Sequence, residues 1–119
     1  MAVQGLSEVK ANLRKLVTIS REGSTDVAMQ GALVFERGAK GRAPVDTGKL
    51  RASITSEPDD NEQGLAHCFT NTEYAPDQEF GTVYQPGTAF MRPTMDNDAS
   101  QIFQVMAAAY QELLENGFS

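Results

Sequence analysis

The stretch "APVDTGKLRASI" (residues 43–54) sits where the hydrophobic period of the chain changes, and its reading decides the fold. From Leu50 onward, Leu50, Ala52 and Ile54 alternate with Arg51, Ser53 and Thr55, the period of two expected of a half-buried strand. Pro44 pushes Ala43 out of the α region and would stop a helix arriving from the basic segment before it. Asp46 can accept hydrogen bonds from backbone N–H groups two residues on, and Gly48 supplies a backbone shape that other residues resist. On this reading the stretch is a helix-to-strand joint. Leu50 begins the buried face of the strand, and Lys49 and Arg51 point outward.

Two chemical readings compete for the same residues. Asp46-Thr47-Gly48 is the catalytic tripeptide of dimeric aspartic proteases, in which two carboxylates share one proton. Lys49 and Arg51 follow it directly, however, and fixed cations beside such a dyad would hold both aspartates ionised. Helical patterns on both ends of the chain also conflict with a nearly all-β protease. A phosphate loop fails on spacing: Gly41 and Gly48 are too far apart, Pro44 removes a cradle N–H, and Leu50 stands where a metal-binding Ser or Thr is needed.

Upstream, Leu6, Val9, Leu13, Leu16 and Val17 fall at helical spacing, with Lys10, Arg14 and Lys15 off that face. Ser7 suits the N-cap and Glu8 the first turn. "REGST" (21–25) breaks the pattern, and a second helix is expected over 26–40 around Val27, Val34 and Phe35. Gly31 and Gly38 weaken that helix or allow a neighbour to pack closely. Downstream, "EPDDNEQG" (57–64) reads as a turn. Leu65, His67 and Phe69 then alternate with Ala66, Cys68 and Thr70, completing a hairpin in which His67 packs partly buried beside Leu65 and Phe69. "NTEYAPDQEFGTVYQPGTAF" (71–90) is an interaction loop or holds a short third strand. Pro93 fits the first turn of a last helix, which Gly117 ends. Met95, Ile102, Phe103, Met106, Tyr110, Leu113 and Leu114 mark its core-facing stripe, with Val105 and Ala109 at the margin. The order predicts an α+β fold: a small antiparallel sheet packed by two N-terminal helices and a long C-terminal helix.

A length of 119 residues predicts one domain, with 40% hydrophobic and 22% charged residues as in a globular chain. Cys68 stands alone, so no internal disulfide framework exists, and a small buried thiol is its expected role. The N-terminus lacks the pattern of a signal peptide, and no stretch has the length of a membrane span. The net charge of −6 is unevenly spread. Residues 1–51 hold nine of the ten Lys/Arg against five acids, whereas residues 52–119 hold only Arg92 against eleven acids. Such halves suit head-to-tail self-association, and the acidic half disfavours wrapping of nucleic acid. The acidic run at 59–64 imitates the start of a calcium loop, but Thr70 occupies the position of the bidentate Glu. His67 is the sole histidine, so neither a His-pair metal site nor a Ser-His-Asp triad has support. No cofactor and no catalytic constellation is expected.

Three segments in order carry a resemblance: "APVDTGKLRASI" (43–54), "YAPDQEFGT" (74–82) and "AFMRPTMD" (89–96). Together they resemble the small neck or tail-completion proteins of long-tailed bacteriophages, typified by gene product ten of the HK-type lambdoid phages. The residues that match the family pattern are Ala43, Pro44, Val45, Asp46, Thr47, Gly48, Leu50, Arg51, Tyr74, Ala75, Glu79, Phe80, Gly81, Arg92 and Pro93. The resemblance covers roughly residues 25–115; Asp77-Gln78 replace bulkier apolar residues, and Met91 stands for Leu. It implies a virion structural protein of the neck or tail end, assembled in the host cytoplasm, that serves tail completion and head–tail joining without catalysis. It implies a homo-oligomeric ring, six-fold to match the tail tube, in contact with the connector, terminator or tail tube. DNA would pass without specific binding, eased by repulsion if Glu57, Asp59, Asp60 and Glu62 faced the channel. A self-associating adaptor outside a phage is the alternative reading of the same charge split.

Overall fold

A 41-residue helix dominates the molecule. The computed structural model describes residues 2–44, 48–83 and 87–118, with side chains from Gly5 onward. In chain order the elements are α1 (Ala2–Arg42), α2 (Lys49–Ser53), β1 (Thr55–Pro58), β2 (Ala66–Phe69), α3 (Ala75–Phe80) and α4 (Met91–Phe118). The α+β class, the hairpin and the long C-terminal helix agree with the sequence reading. The molecule is elongated, 76 × 27 × 22 Å, because α1 runs past the end of its partner helix α4.

The break expected at 21–25 does not occur; α1 is one helix. Each weak helix former there is used by another part of the chain. Ser24 Oγ donates to the Arg21 carbonyl (2.8 Å), Thr25 Oγ1 accepts from Gly64 N of the hairpin loop (2.9 Å), and Gly23 packs against the Leu113 side chain of α4. Tertiary contacts override the local propensity. Gly31 extends the same seam: a methyl group there would come within 2.5 Å of Met106 Sδ. The close-packing reading of Gly31 and Gly38 therefore holds, with Gly38 lying against Thr94 and Asp98.

The expected strand over 50–55 is largely helix. Leu50 and Ile54 are buried and Ala52 is exposed, so the burial follows a spacing of four and not of two. An i,i+4 pair and an alternating triplet share their end positions, and only the middle residue distinguishes them. Gly48 does adopt the special shape expected of it, with φ 70° at the N-cap of α2. Arg51 is thus a half-buried helix residue and not an outward strand residue.

The hairpin pairs Thr55 with Phe69, Ser56 with Cys68, Glu57 with His67 and Pro58 with Ala66. Its inward face is the reverse of the expected one. Ala66, Cys68 and Thr70 turn towards the helices, while Leu65, His67 and Phe69 are exposed. Small side chains let the ribbon lie close on α1, where Ser56 Oγ donates to the Ala32 carbonyl (3.2 Å). Burial pushes the Cys68 thiol up from its ordinary range, although the residue is only half-buried. Among the described residues of 71–90 there is a short helix, α3, and no third strand.

The C-terminal stripe is split. Ile102, Val105, Met106, Ala109 and Leu113 are half-buried, whereas Met95, Phe103 and Tyr110 remain exposed. The seven-residue stripe is wider than one neighbouring helix can cover. Gly117 does not end α4; it lies inside the last turn against Ile19, and a larger residue there would collide with that side chain.

Candidate functional site

The fully buried core is small and contains residues from each of the three matching segments. Ala39 of α1, Ala43, Leu50 and Ile54 from the first segment, Ala75 from the second and Phe90 from the third form one apolar cluster. Phe35, Cys68, Tyr74 and Met91 pack around it. Pro44, Gly48, Gly81 and Pro93 are half-buried around this cluster or at helix ends, and Phe80 and Arg92 are exposed. Val45, Asp46 and Thr47 lie outside the described residues, as does Tyr84.

Glu79 joins the second segment to the third. Its Oε1 accepts from the backbone N–H groups of Phe90 (3.0 Å) and Met91 (2.8 Å), and its Oε2 from Arg92 (3.1 Å). Those are orphan donors at the start of α4, where the helix dipole also favours a carboxylate. Burial opposes ionisation of Glu79, but the three N–H groups and the nearby Arg92 outweigh it and hold the pKa below the usual value. The chain returns to this point through Thr88 N, which bonds the Gln78 carbonyl (2.6 Å). Gly87 lies against the main chain of Glu79–Gly81, where a Cβ would collide with backbone atoms. No local spacing in the sequence signals a cap donated from 11 to 13 residues away.

A second tie joins the two long helices. Arg42 Nη1 and Nη2 donate to Asp98 Oδ2 (2.7 Å) and Oδ1 (3.1 Å), and Nη1 also reaches Thr94 Oγ1 (3.1 Å). Thr94 is fully buried and donates to the Phe90 carbonyl (2.6 Å). The paired guanidinium lowers the Asp98 pKa, first through its hydrogen bonds and also through its charge. The expected result of a double-mutant cycle on Arg42→Ala and Asp98→Ala is non-additive loss of stability, the double variant losing less than the two singles together. Strict additivity in urea unfolding would remove this pair as a coupled tie. Sequence reasoning did not single out Arg42, Phe90, Thr94 or Asp98 as structural partners, since their contacts span more than 50 residues or depend on α3.

Several large apolar side chains stay outside this core. Phe80 and Val83 are 82% and 96% exposed beside α3. A groove of about 530 Å³ runs between α1, α4 and the hairpin, floored by Gly31 and Phe35 and walled by Leu65, Ile102, Phe103 and Met106. The hairpin loop on one wall is acidic. Asp59 is engaged by His67 Nε2 (2.7 Å) and by the N–H groups of Asn61 (3.0 Å) and Glu62 (2.6 Å), which lower its pKa to about 2. Asp60 and Glu62 point to solvent. Among the described residues no three His, Cys, Asp or Glu gather as a metal would require. Nor is any described helix long and apolar enough to cross a membrane.

Residues 7–81 match the family described as "Bacteriophage HK97-gp10, putative tail-component". The match spans more than half of the chain and includes the first segment and all but the last residue of the second. The chain belongs to the HK97 gp10-like family. Membership makes it a bacteriophage tail component of structural type, with a place in the virion and contacts to other phage proteins. It sets aside the reading as an adaptor outside a phage. The third segment, 89–96, lies beyond the match, yet its Phe90 and Thr94 complete the core that the HK97 gp10-like region begins. No curated protein and no solved structure gives a significant match.

Proposed function

We propose that this HK97 gp10-like protein acts at the neck or tail end, in tail completion and head–tail joining, by assembling into a six-fold ring without catalysis. The observation that carries the reading is the small core against the large apolar surface outside it. Six residues make up the buried hydrophobic cluster, while Leu6, Val9, Leu13, Val17, Phe80, Val83 and Phe103 are each more than half exposed. Apolar area on this scale marks protein contact surfaces. The oppositely charged halves supply the two different faces that a heterologous ring contact needs.

The connector, terminator or tail tube then meets the remaining exposed face, with Phe80 and Val83 as its anchors. DNA passing through such a ring meets an excess of acids and is not gripped. A dimeric aspartic protease using Asp46 is the less favoured reading, because such enzymes are nearly all β and the described residues here are mostly helical. Phage carrying a deletion of this gene tests the proposal by electron microscopy of the lysate. Filled heads and unjoined tails, or tails of abnormal length, are the expected products. Normal, infectious particles would overturn it.

A further inference from the structure

Among the described residues, Gly5–Arg14 of α1 are all exposed. Helix α4 ends beside residues 15–19, where Lys15 sits over the Phe118 ring (5.1 Å) and Gly117 meets Ile19. On a different face from those two residues, Leu6, Val9, Leu13 and Val17 line up along the helix, and all four are 52–55% exposed. At 100° per residue they fall within one quadrant of the helix, and Lys10, Arg14 and Arg21 run along one flank of it. The segment is an amphipathic helix with an apolar stripe and a basic edge.

The same molecule carries a groove that fits it. We infer that the N-terminal stripe of one copy docks, helix in groove, between α1, α4 and the hairpin of the next copy. Leu6 to Val17 spans eleven residues, about 16 Å of helix, and the groove's α4 wall from Met95 to Met106 spans the same length. The groove lining is apolar, and the hairpin that forms one wall carries the exposed acids Asp60 and Glu62 in its loop, a few residues before the lining residues Gly64 and Leu65. Residues 1–21 carry four bases against Glu8. Two such segments would repel each other in a symmetric pair, whereas the acidic wall attracts one. The contact is therefore heterologous: stripe and groove are different surfaces, and each copy offers one of each, so repetition generates a ring when the rotation closes. It assigns Asp60 and Glu62 to a subunit contact and not to a channel wall. The proposal rests on the ring reading above and names the surfaces that make the ring.

Cys68 lines the groove and is the only cysteine, which gives a reporter in the full-length chain. A Leu13→Cys chain at high protein concentration, treated with a short bis-maleimide, should give a ladder of dimers, trimers and larger species. Peptide mapping should place the bridge between positions 13 and 68 of different copies. A Lys15→Cys chain, altered on the far side of the helix beside Phe118 of its own chain, should give far less of this product, because its thiol points away from the docked stripe. Equal ladders from both variants, a bridge within one chain, a bridge joining position 13 to position 13, or monomer only would each overturn the proposal. Native mass spectrometry of the unaltered protein separates the two claims. A closed ring with an unlinked Leu13→Cys chain rejects this contact and leaves the ring. A 13-to-68 ladder without any closed ring rejects the ring and leaves the contact.

Discussion

Replacing Phe90 with alanine is expected to remove about 3–5 kcal/mol of stability, the largest effect of any single substitution in this molecule. Phe90 is 1% exposed and is the bulkiest fully buried side chain, in a cluster otherwise made of three alanines, a leucine and an isoleucine. Its loss leaves a cavity that the small neighbours Ala39, Ala43 and Ala75 cannot fill, and that Met91 at its edge could fill only in part. Small proteins are stable by only about 5–15 kcal/mol, so urea unfolding should show a large drop in midpoint and a sizeable unfolded fraction at 37 °C. Phe90→Leu should recover much of the difference, because it leaves a far smaller cavity than alanine does. A Phe90→Ala chain within about 1 kcal/mol of the parent would mean that the cluster is not the core.

Glu79→Ala is expected to cost about 2 kcal/mol, because three backbone N–H groups at the start of α4 lose their shared acceptor. The site is half-buried, so water replaces part of the loss, and Glu79→Gln, which keeps an acceptor oxygen without the charge, should cost less. The effect depends on pH in a definite direction. The folded pKa of Glu79 is depressed, so the unfolded chain binds its proton more readily than the folded chain. Its contribution is therefore fully present above the ordinary glutamate pKa of about 4.3, and it is lost as pH falls through the lower folded value. Asp98, also depressed by Arg42, titrates in the same sense. Urea midpoints measured from pH 6 down to pH 3 should converge between the parent and Glu79→Ala chains. A gap that stays constant across that range would show that the carboxylate charge contributes nothing to the cap.

The pattern of success follows the range of the interactions involved. The long C-terminal helix was legible because Ile102, Met106 and Leu113 recur at helical spacing over many turns, and Pro93 sits where a first turn tolerates it. The hairpin was legible from the turn residues at 57–64 between two short alternating runs. Which face of that hairpin is buried was not. Leu65 and Phe69 are more apolar than Ala66 and Thr70, but the ribbon lies on a helix surface that admits only small side chains. The continuity of α1 was hidden for a similar reason. Gly23, Ser24 and Thr25 look like a break until Leu113 and the Gly64 backbone are placed beside them.

The sequence by itself determined the class of fold, the special backbone shape at Gly48, the division of charge between the halves and, through its short motif segments, the family. These are local or compositional properties, carried by neighbours along the chain. Only the tertiary structure decided what the segments do for one another: Glu79 capping a helix from another segment, Arg42 tying α1 to α4, and Phe90 filling the space between them. It also decided which apolar residues stay outside. Leu6, Val9 and Leu13 carry the same helical period as residues that are packed, and they are exposed because α4 is 28 residues long and α1 is 41. A periodic pattern states that a face is apolar; the length of the neighbouring helix states whether the molecule itself covers it.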